Sequence, residues 1–258
     1  MQLETLIAAL GLPDSTLLNQ RVPKKMLAEH GAATSADKRQ IQDGVDEITW
    51  LAALKPHLIG VPAYEDAQRQ YLELAVLSLK LKEGHKPGRL IELMHRAVPY
   101  PLLLLTSSDH GLDLSLSHLR YSQIEADKTV LDGELLCVNL TASDLNDVAR
   151  GAFASEMALS RQPQTNLHAL YQGWLDTVDA LDIAQETGDF QPSLTREQAA
   201  DRHAAMQQCR ELETKLQRLR ALAQKERQLA RQVALNQELR AGQAELQALK
   251  QRLQGGAS

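Results

Sequence analysis

The amino-acid sequence predicts an α/β or α+β body with helical flanks and a long C-terminal coiled-coil helix. Residues 56–142 combine proline and glycine breaks with alternating apolar residues, the pattern of a compact sheet with one crossover helix. In residues 1–55 and 143–192, apolar residues recur at helical spacing. Residues 193–254 are dominated by Ala, Leu, Gln, Arg and Glu, which are strong helix formers. We therefore expect four segments: helical, sheet, helical and coiled coil.

The predicted sheet core is built from short apolar segments separated by turns. Leu72, Leu74 and Val76 alternate with their neighbours, which indicates a strand that has a partner. The run around Leu102 is strongly apolar and follows two prolines, so it reads as a buried strand. The predicted elements are a strand within Tyr71 to Lys82, a helix at Arg89 to Val98, a strand at Leu102 to Thr106, a returning strand at Leu112 to Leu116 and a strand at Leu135 to Leu140.

The flanks are predicted to be helical. In the first flank, a helix from Ser35 to Leu54 is capped by Thr34 or Ser35 and carries its apolar residues on one face. Those residues are Ile41, Val45, Ile48, Leu51 and Leu54. In the second flank, Ser143 or Asp144 caps a helix that runs through Met157, Pro163 breaks it, and a second helix ends near Gly188.

The C-terminal segment predicts one unbroken helix, because neither proline nor glycine occurs from Thr195 to Ala241. A helix extending to Leu253 would be roughly 85–90 Å long at about 1.5 Å per residue. Two heptad series follow each other out of phase, so the register changes between Val233 and Leu239. Glu226 and Gly242 fall on this seam and weaken it. The pattern favours a partner supplied by a complex, or a bend, over a very stable autonomous dimer.

We expect the apolar seam of this segment to bind a partner protein, either another protein or a second copy of the chain. The alternative is a solvated helix that packs on a neighbouring element. The predicted partner-binding residues are Leu212, Leu216, Leu219, Val233, Leu239, Leu246, Leu249 and Leu253.

Charge is distributed unevenly along the chain. Residues 1–195 carry 16 Lys and Arg against 26 Asp and Glu, a net charge of −10, whereas residues 196–258 carry 12 against 7, a net charge of +5. The acidic body argues against broad nonspecific binding of nucleic acid, which requires many basic contacts to phosphate. The basic tail could contact nucleic acid, an acidic partner or the acidic body, or it could be a solvated helix face.

A second basic feature surrounds Pro23. Arg21, Lys24 and Lys25 could contact phosphate or an acidic partner surface, and a solvated basic loop is the alternative reading.

Motifs of catalysis are absent from the sequence. It contains no phosphate-binding loop, dinucleotide fingerprint, nucleophile elbow or zinc-protease motif. The eight histidines are scattered and are expected at the surface or in loops, and Cys137 and Cys209 have neither metal nor disulfide spacing. We therefore assign no catalytic, cofactor or metal residue. The strongest nuclease-like fragment pairs Glu73 with Lys80, since metal-dependent nucleases need a carboxylate and a lysine on one strand.

The cytoplasm is the expected location. Met1 to Leu10 lacks the basic and apolar regions of a signal peptide, and no run of 18 apolar residues predicts a membrane span.

Several motifs occur together in an order that resembles a bacterial family known as domain of unknown function 4391. They are Leu12-Pro13-Asp14-Ser15-Thr16, Arg21-Val22-Pro23-Lys24-Lys25, Ile48-Thr49-Trp50-Leu51 and Ala97-Val98-Pro99-Tyr100-Pro101-Leu102. In that family an acidic residue often follows the third hydrophobic residue of the central strand, whereas this chain has Leu77-Ser78-Leu79. The resemblance implies a gene neighbourhood of DNA helicases or translocases and methyltransferases, and it transfers no catalytic residue.

These observations together predict a noncatalytic accessory or assembly subunit of a bacterial DNA-processing or anti-phage defence complex. Its partner would be a helicase or translocase, a methyltransferase or a second copy, and contact with DNA would be indirect. No membrane contact is expected. A metal-dependent nuclease using the strand around Glu73 is the alternative, and a DNA-binding adaptor that uses its basic residues is a third reading.

Overall fold

A mixed sheet forms the centre of the fold in the computed structural model, which describes residues 1–32, 34–123, 129–141 and 145–254. The strands are β1 (Leu17–Arg21), β2 (Val45–Leu54), β3 (Tyr64–Glu65), β4 (Gln70–Tyr71), β5 (Leu74–Leu81), β6 (Leu102–Ser108), β7 (Gly111–Tyr121) and β8 (Thr129–Asn139). Six of them form one sheet in the order β1-β2-β5-β6-β7-β8, and β3 pairs with β4 separately.

Helices account for most of the remaining described residues. They are α1 (Leu3–Ala9), α2 (Lys24–His30), α3 (Ser35–Gly44), α4 (Pro56–Ile59), α5 (Pro87–Ala97), α6 (Asp147–Glu156), α7 (Leu167–Thr187), α8 (Arg196–Lys225) and α9 (Leu229–Gln254). Short 3-10 turns lie at Asp14–Thr16 and Leu159–Arg161. The predicted class, an α/β body followed by a long C-terminal helix, is confirmed.

The β5–α5–β6 unit is the crossover that the sequence predicted. β5 and β6 run parallel, from the Ala75–Leu102 pair to the Lys80–Ser107 pair, while every other pairing in the six-stranded sheet is antiparallel. A parallel pair needs a connection that returns along the sheet, and α5 supplies it. Its buried residues include Leu90, Ile91 and Met94.

Helices cover one face of the sheet with an aliphatic core. Ala75, Leu77 and Leu79 of β5 pack in one cluster with residues of α2, α3 and α5. Leu74 and Val76, which alternate with them, are equally inaccessible to solvent, so both faces of β5 are buried. A hydroxyl from α7 reaches the neighbouring strand, where Tyr171 donates a hydrogen bond to the carbonyl oxygen of Leu102 at 2.7 Å.

The predicted helix from Ser35 to Leu54 is wrong in its second half. Thr34 caps α3 by accepting the N–H of Asp37 at 3.1 Å, as expected, but the helix ends at Gly44 and residues 45–54 form β2. Register shifts between Val45 and Glu47 and between Trp50 and Ala52 interrupt the alternation of β2. Buried residues therefore recur at Val45, Ile48 and Leu51, a spacing of three that imitates a helix.

The first flank is consequently not all helical. β1 and β2 both belong to the central sheet, and β1 pairs antiparallel with β2. The second flank is helical at α6 and α7, but the predicted caps Ser143 and Asp144 lie outside the described residues. Asn146 caps α6 by accepting the N–H of Ala149 at 2.8 Å.

The chain divides into two compact units, residues 1–178 and 179–258. The boundary falls within α7, so one helix contributes to both units. None of the helices in the described residues is long and apolar enough to cross a lipid bilayer.

Replacing Ile48 by alanine tests the assignment of β2. Ile48 is 1% exposed, so we expect the free energy of unfolding to fall by about 2–5 kcal/mol, the usual cost of removing a buried isoleucine side chain. Leu18→Ala is the matched control, because Leu18 of the neighbouring strand is 50% exposed. Urea denaturation of both variants measures the difference, and equal losses would contradict burial of the β2 face.

Candidate interaction surface on the helical hairpin

The C-terminal segment is a helical hairpin, not one continuous helix. α8 ends at Lys225, residues 226–228 form the link, and α9 packs antiparallel against α8. Glu226 has extended backbone angles, φ −72° and ψ 128°, and its carboxylate accepts the N–H of Gln228 at 2.8 Å. This residue, which the heptad pattern placed on the seam, therefore forms the turn that precedes α9.

The packing of the two apolar stripes explains the change of heptad register. Near the turn, Leu216 and Ala223 of α8 form a buried cluster with Leu239 of α9. Farther from the turn, Cys209 and neighbouring α8 residues bury Leu249 and Leu253. Two stripes that face each other across a turn need not share one register. The prediction of one unbroken helix is therefore wrong, because the segment consists of two helices joined by a turn. The predicted bend is confirmed.

The predicted partner-binding leucines lie inside this hairpin. Four of them, Leu216, Leu239, Leu249 and Leu253, are buried. Leu212, Leu219 and Leu246 are partly buried against the same clusters, whereas Val233 is 49% exposed. The stripe thus finds a packing partner within the chain, and of the predicted set Val233 is left most accessible to another molecule.

Gly242 has a structural reason to be glycine. A Cβ atom placed there would lie 2.8 Å from Cδ2 of Leu216, closer than carbon atoms pack. Because glycine has no Cβ atom, the side chain of Leu216 can approach the backbone of α9 at this position.

Ion pairs hold the base of the hairpin to the end of α7. Arg210 contacts Asp182 at 2.5 Å, and His203 contacts Asp179 at 2.7 Å. Lys250 of α9 bridges Glu186 at 3.2 Å and Glu213 at 2.8 Å. Burial raises the pKa of Asp182, although Arg210 acts in the opposite direction. The charges at the base therefore find their partners within the unit.

The tip of the hairpin, residues 215–240, carries the entire positive excess of the tail. It contains 7 Lys and Arg against 2 Asp and Glu, a net charge of +5, while the remainder of residues 196–258 has 5 of each sign. Within the described residues, no ion pair involves any of these seven cations. They are Lys215, Arg218, Arg220, Lys225, Arg227, Arg231 and Arg240.

Apolar residues accompany these cations at the tip. Leu222, Leu229 and Val233 are 57%, 75% and 49% exposed. An open groove of about 480 Å³ lies between the two helices here, with Leu222 and Leu235 among its apolar walls and Lys225 and Arg231 among its basic ones. The tip therefore offers apolar contact area next to unpaired positive charge.

The basic segment around Pro23 is placed differently. Arg21 lies 3.9 Å from Glu47, Lys25 lies 3.6 Å from Glu29, and the Lys24 ammonium donates a hydrogen bond to the carbonyl of Val45. A groove of about 350 Å³ beside them includes the carboxylates of Asp46 and Glu47. Its mixed charge makes this segment a weaker phosphate site than the sequence suggested.

The nuclease-like pair is not brought together. Glu73 precedes β5 and pairs with Lys55 at 3.5 Å, whereas Lys80 near the other end of β5 pairs with Asp46 at 3.1 Å. Seven residues of extended chain separate the two by roughly 23 Å. Among the described residues, no group of three or more His, Cys, Asp or Glu side chains could hold a metal ion.

The family model of DUF4391, a domain of unknown function, matches residues 10–246, which is nearly the whole chain. The chain belongs to the DUF4391 family. The resemblance that the motifs between Leu12 and Leu102 indicated is thus confirmed. No curated protein and no solved structure matches it.

A cluster of tyrosine and histidine rings in this DUF4391 protein was missed by sequence reasoning. His118 of β7 and His168 of α7 stack with ring centroids 4.9 Å apart, and Tyr71 and Tyr171 contact His118 edge-on. The Tyr71 hydroxyl is hydrogen bonded to Nδ1 of His118, and Nε2 of His118 lies 2.8 Å from Oε1 of Gln172. The residues come from distant segments, so spacing gave no signal.

These contacts favour one protonation state of His118. Gln172 Oε1 only accepts, so Nε2 carries the proton and Nδ1 accepts from Tyr71. Burial lowers the pKa of His118 to about 4. His95, under the sheet, has its pKa lowered to about 3 by burial. The expectation of a surface or loop position is wrong for these two histidines, because His95 lies in α5 with 1% exposure and His118 is partly buried in β7.

We expect Leu216→Ala to destabilise the hairpin by about 2–5 kcal/mol, because it empties the apolar cluster near the turn. Leu222→Ala six residues away should change stability by less than about 0.5 kcal/mol, since that side chain is mostly exposed. Helical circular dichroism during thermal melting measures both. Similar melting temperatures for the two variants would show that the seam is not buried as described.

Acid should selectively destabilise the folded state through His118. His118 of the unfolded chain binds a proton near pH 6.5, whereas His118 of the folded chain binds one only near pH 4. The contribution of His118 to the free energy of unfolding is therefore fully present above pH 6.5 and is lost as the pH falls toward 4. The loss approaches about 3 kcal/mol. In His118→Gln this contribution is absent, so its stability deficit relative to the native chain should shrink with falling pH. Urea denaturation across this pH range, with the exposed His57→Gln as control, tests it; parallel curves for native chain and His118→Gln would rule it out.

Proposed function

We propose that this DUF4391 protein is a noncatalytic accessory subunit that attaches to an acidic surface of a partner protein through the tip of its hairpin. The proposed setting is a bacterial DNA-processing or anti-phage defence complex in the cytoplasm. A helicase or translocase, or a methyltransferase, is the proposed partner. This choice rests on the gene neighbourhood that the family resemblance implies.

The observation that carries the proposal is the composition of the tip. The hairpin buries most of its apolar stripe internally, and its tip presents outward seven cations that form no ion pair within the described residues, around the exposed side chains of Leu222, Leu229 and Val233. Arginine and large apolar residues are the types that contribute most to protein interfaces. Positive charge at the edge of such a patch accelerates encounter with an acidic surface and aligns the two proteins.

The charge distribution of the chain also determines whether it can contact DNA directly. The net charge of −10 on residues 1–195 opposes the approach of a phosphate backbone, while the tip alone supplies a small number of basic contacts. A partner protein that itself binds DNA is consistent with both the acidic body and the small number of basic contacts at the tip. We therefore propose that contact with DNA is indirect.

The test compares two double charge reversals in the full-length chain. Arg227→Glu with Arg231→Glu alters the tip, and Lys38→Glu with Arg39→Glu makes the same change of charge at exposed positions of α3. Glutamate near the start of α9 suits the helix dipole, so the tip variant should fold. Binding to the purified helicase, translocase or methyltransferase encoded beside the gene should weaken at least tenfold for the tip variant alone.

The second half of the test measures how the affinity depends on salt and whether the protein binds DNA. The native affinity for the protein partner should fall as salt rises, and the tip variant should depend less on salt. Equal binding by both variants would refute the proposal. Binding of naked duplex DNA that is lost in the tip variant, without any binding of the protein partners, would replace it by a DNA-binding adaptor. A concentration-dependent dimer lost in the tip variant would identify a second copy as the partner.

A further inference from the structure

The groove at the tip of the hairpin takes its lining from both helices. It has a volume of about 480 Å³, and its lining residues are Leu222, Lys225, Glu226, Arg231, Ala234 and Leu235. Leu235 also packs against the buried cluster near the turn. The apolar lining of the groove is therefore continuous with the apolar seam between α8 and α9, and it brings that seam to the surface.

Exposed cations extend the α8 side of this groove away from the turn. Arg218, Leu222 and Lys225 are four and three residues apart, so they lie along one side of α8. Lys215, three residues before Arg218, continues the same side. From Lys215 to Lys225 this side is about 15 Å long, close to three turns of helix. An occupant that contacts the whole surface is therefore elongated.

The positive charge of this surface is not neutralised inside the hairpin. In the part of the chain that the structure describes, Lys225, Arg231 and the two cations farther along α8 form no ion pair. The carboxylate in the lining, that of Glu226, accepts the N–H of Gln228 at 2.8 Å. A complementary occupant therefore has apolar atoms along its centre and negative charge along its edges.

An acidic amphipathic helix has both properties. Apolar residues at positions i, i+3 or i+4, and i+7 of such a helix pack into a groove, and acidic residues beside them face the cations. The phosphates of a nucleic acid would pair with the cations but leave Leu222 and Leu235 uncovered. A second copy of the chain would bring together two tips that each carry a net charge of +5, which repel each other.

We propose that the groove binds an acidic amphipathic helix of the partner protein as a third helix beside α8 and α9. This inference rests on the proposed function, because it specifies which kind of element the tip contacts. Large apolar side chains of the partner helix contact Leu222, Ala234 and Leu235. Its carboxylates pair with Lys225 on one side and Arg231 on the other. The small side chain of Ala234 leaves room for a leucine or phenylalanine of the partner.

Synthetic peptides test the groove without the partner protein. The first is a dye-labelled helical peptide of about four turns, with leucines along one side, glutamates beside them and alanines elsewhere. The second has the same composition, but its leucines are distributed around the helix. Fluorescence anisotropy with the full-length protein should show at least tenfold tighter binding of the first peptide, because the two differ only in the apolar side.

Three outcomes of the peptide series overturn the proposal. Equal affinities would show that charge alone attracts the peptide. Absence of binding by either peptide at millimolar concentration would show that the groove does not bind an acidic helix. Tighter binding of a single-stranded DNA of the same net charge would assign the surface to nucleic acid.

A variant that fills the groove without changing its charge gives the second test. Ala234 is exposed, so Ala234→Trp places a bulky side chain in the groove and leaves the buried seam intact. It should weaken the amphipathic peptide at least tenfold. Ala244→Trp is the matched control, because Ala244 is exposed on the same helix about 15 Å farther along and does not line the groove.

The control variant should bind the peptide as the native chain does. If circular dichroism shows that Ala234→Trp is unfolded, Leu222→Ser replaces it with the same expected loss, since Leu222 is 57% exposed. A folded groove variant whose affinity is no weaker than that of the native chain would contradict the inference.

Binding of the partner protein separates this inference from the proposed function. If the partner binds Ala234→Trp normally but loses affinity for the double charge reversal at Arg227 and Arg231, the tip is the attachment site and the groove inference is wrong. If the native chain binds the amphipathic peptide but none of the helicase, translocase or methyltransferase proteins, the groove binds helices and the proposed partner is wrong.

Discussion

The parallel pairing of β5 with β6 is the constraint on which the body depends. Two parallel neighbours require a connection that crosses the sheet, and a strand buried on both faces requires layers on both sides. α5 meets the first requirement, and its apolar side packs on Leu77 and Leu79. The antiparallel strands then extend the sheet outward on each side of this pair.

The hairpin obeys a different constraint. An apolar stripe on a long helix costs free energy in water, and here the chain covers it by folding back on itself. Leucines that would serve an intermolecular coiled coil pack instead against the opposite helix of the hairpin. Arg218 and Arg231 are thirteen positions apart in sequence, and the turn brings both to the same end of the hairpin. Concentration of charge at the tip therefore results from the fold and not from a basic run.

Local sequence predicted those elements whose signals are local. The β5–α5–β6 unit was predictable because apolar alternation, helical spacing and the prolines around Tyr100 agree. β2 was not, because its two register shifts interrupt the alternation of the strand and leave Val45, Ile48 and Leu51 buried at a helical spacing. Heptad spacing alone predicts that the leucines of the seam bind a partner. That pattern identifies an apolar stripe but does not say whether the opposing helix belongs to the same chain.

What the sequence determined by itself is therefore the α/β class, the family, the crossover and the contrast between an acidic body and a basic tail. Only the tertiary structure decided that the tail turns at Glu226, that His118 stacks on His168, and that the Tyr171 hydroxyl of α7 donates to the carbonyl oxygen of Leu102 in β6. The physical reason is the sequence separation between the residues that determine each feature. Helical and strand periodicity depend on neighbours a few residues apart, whereas these three features depend on pairing between segments tens of residues apart, and no local pattern records that pairing.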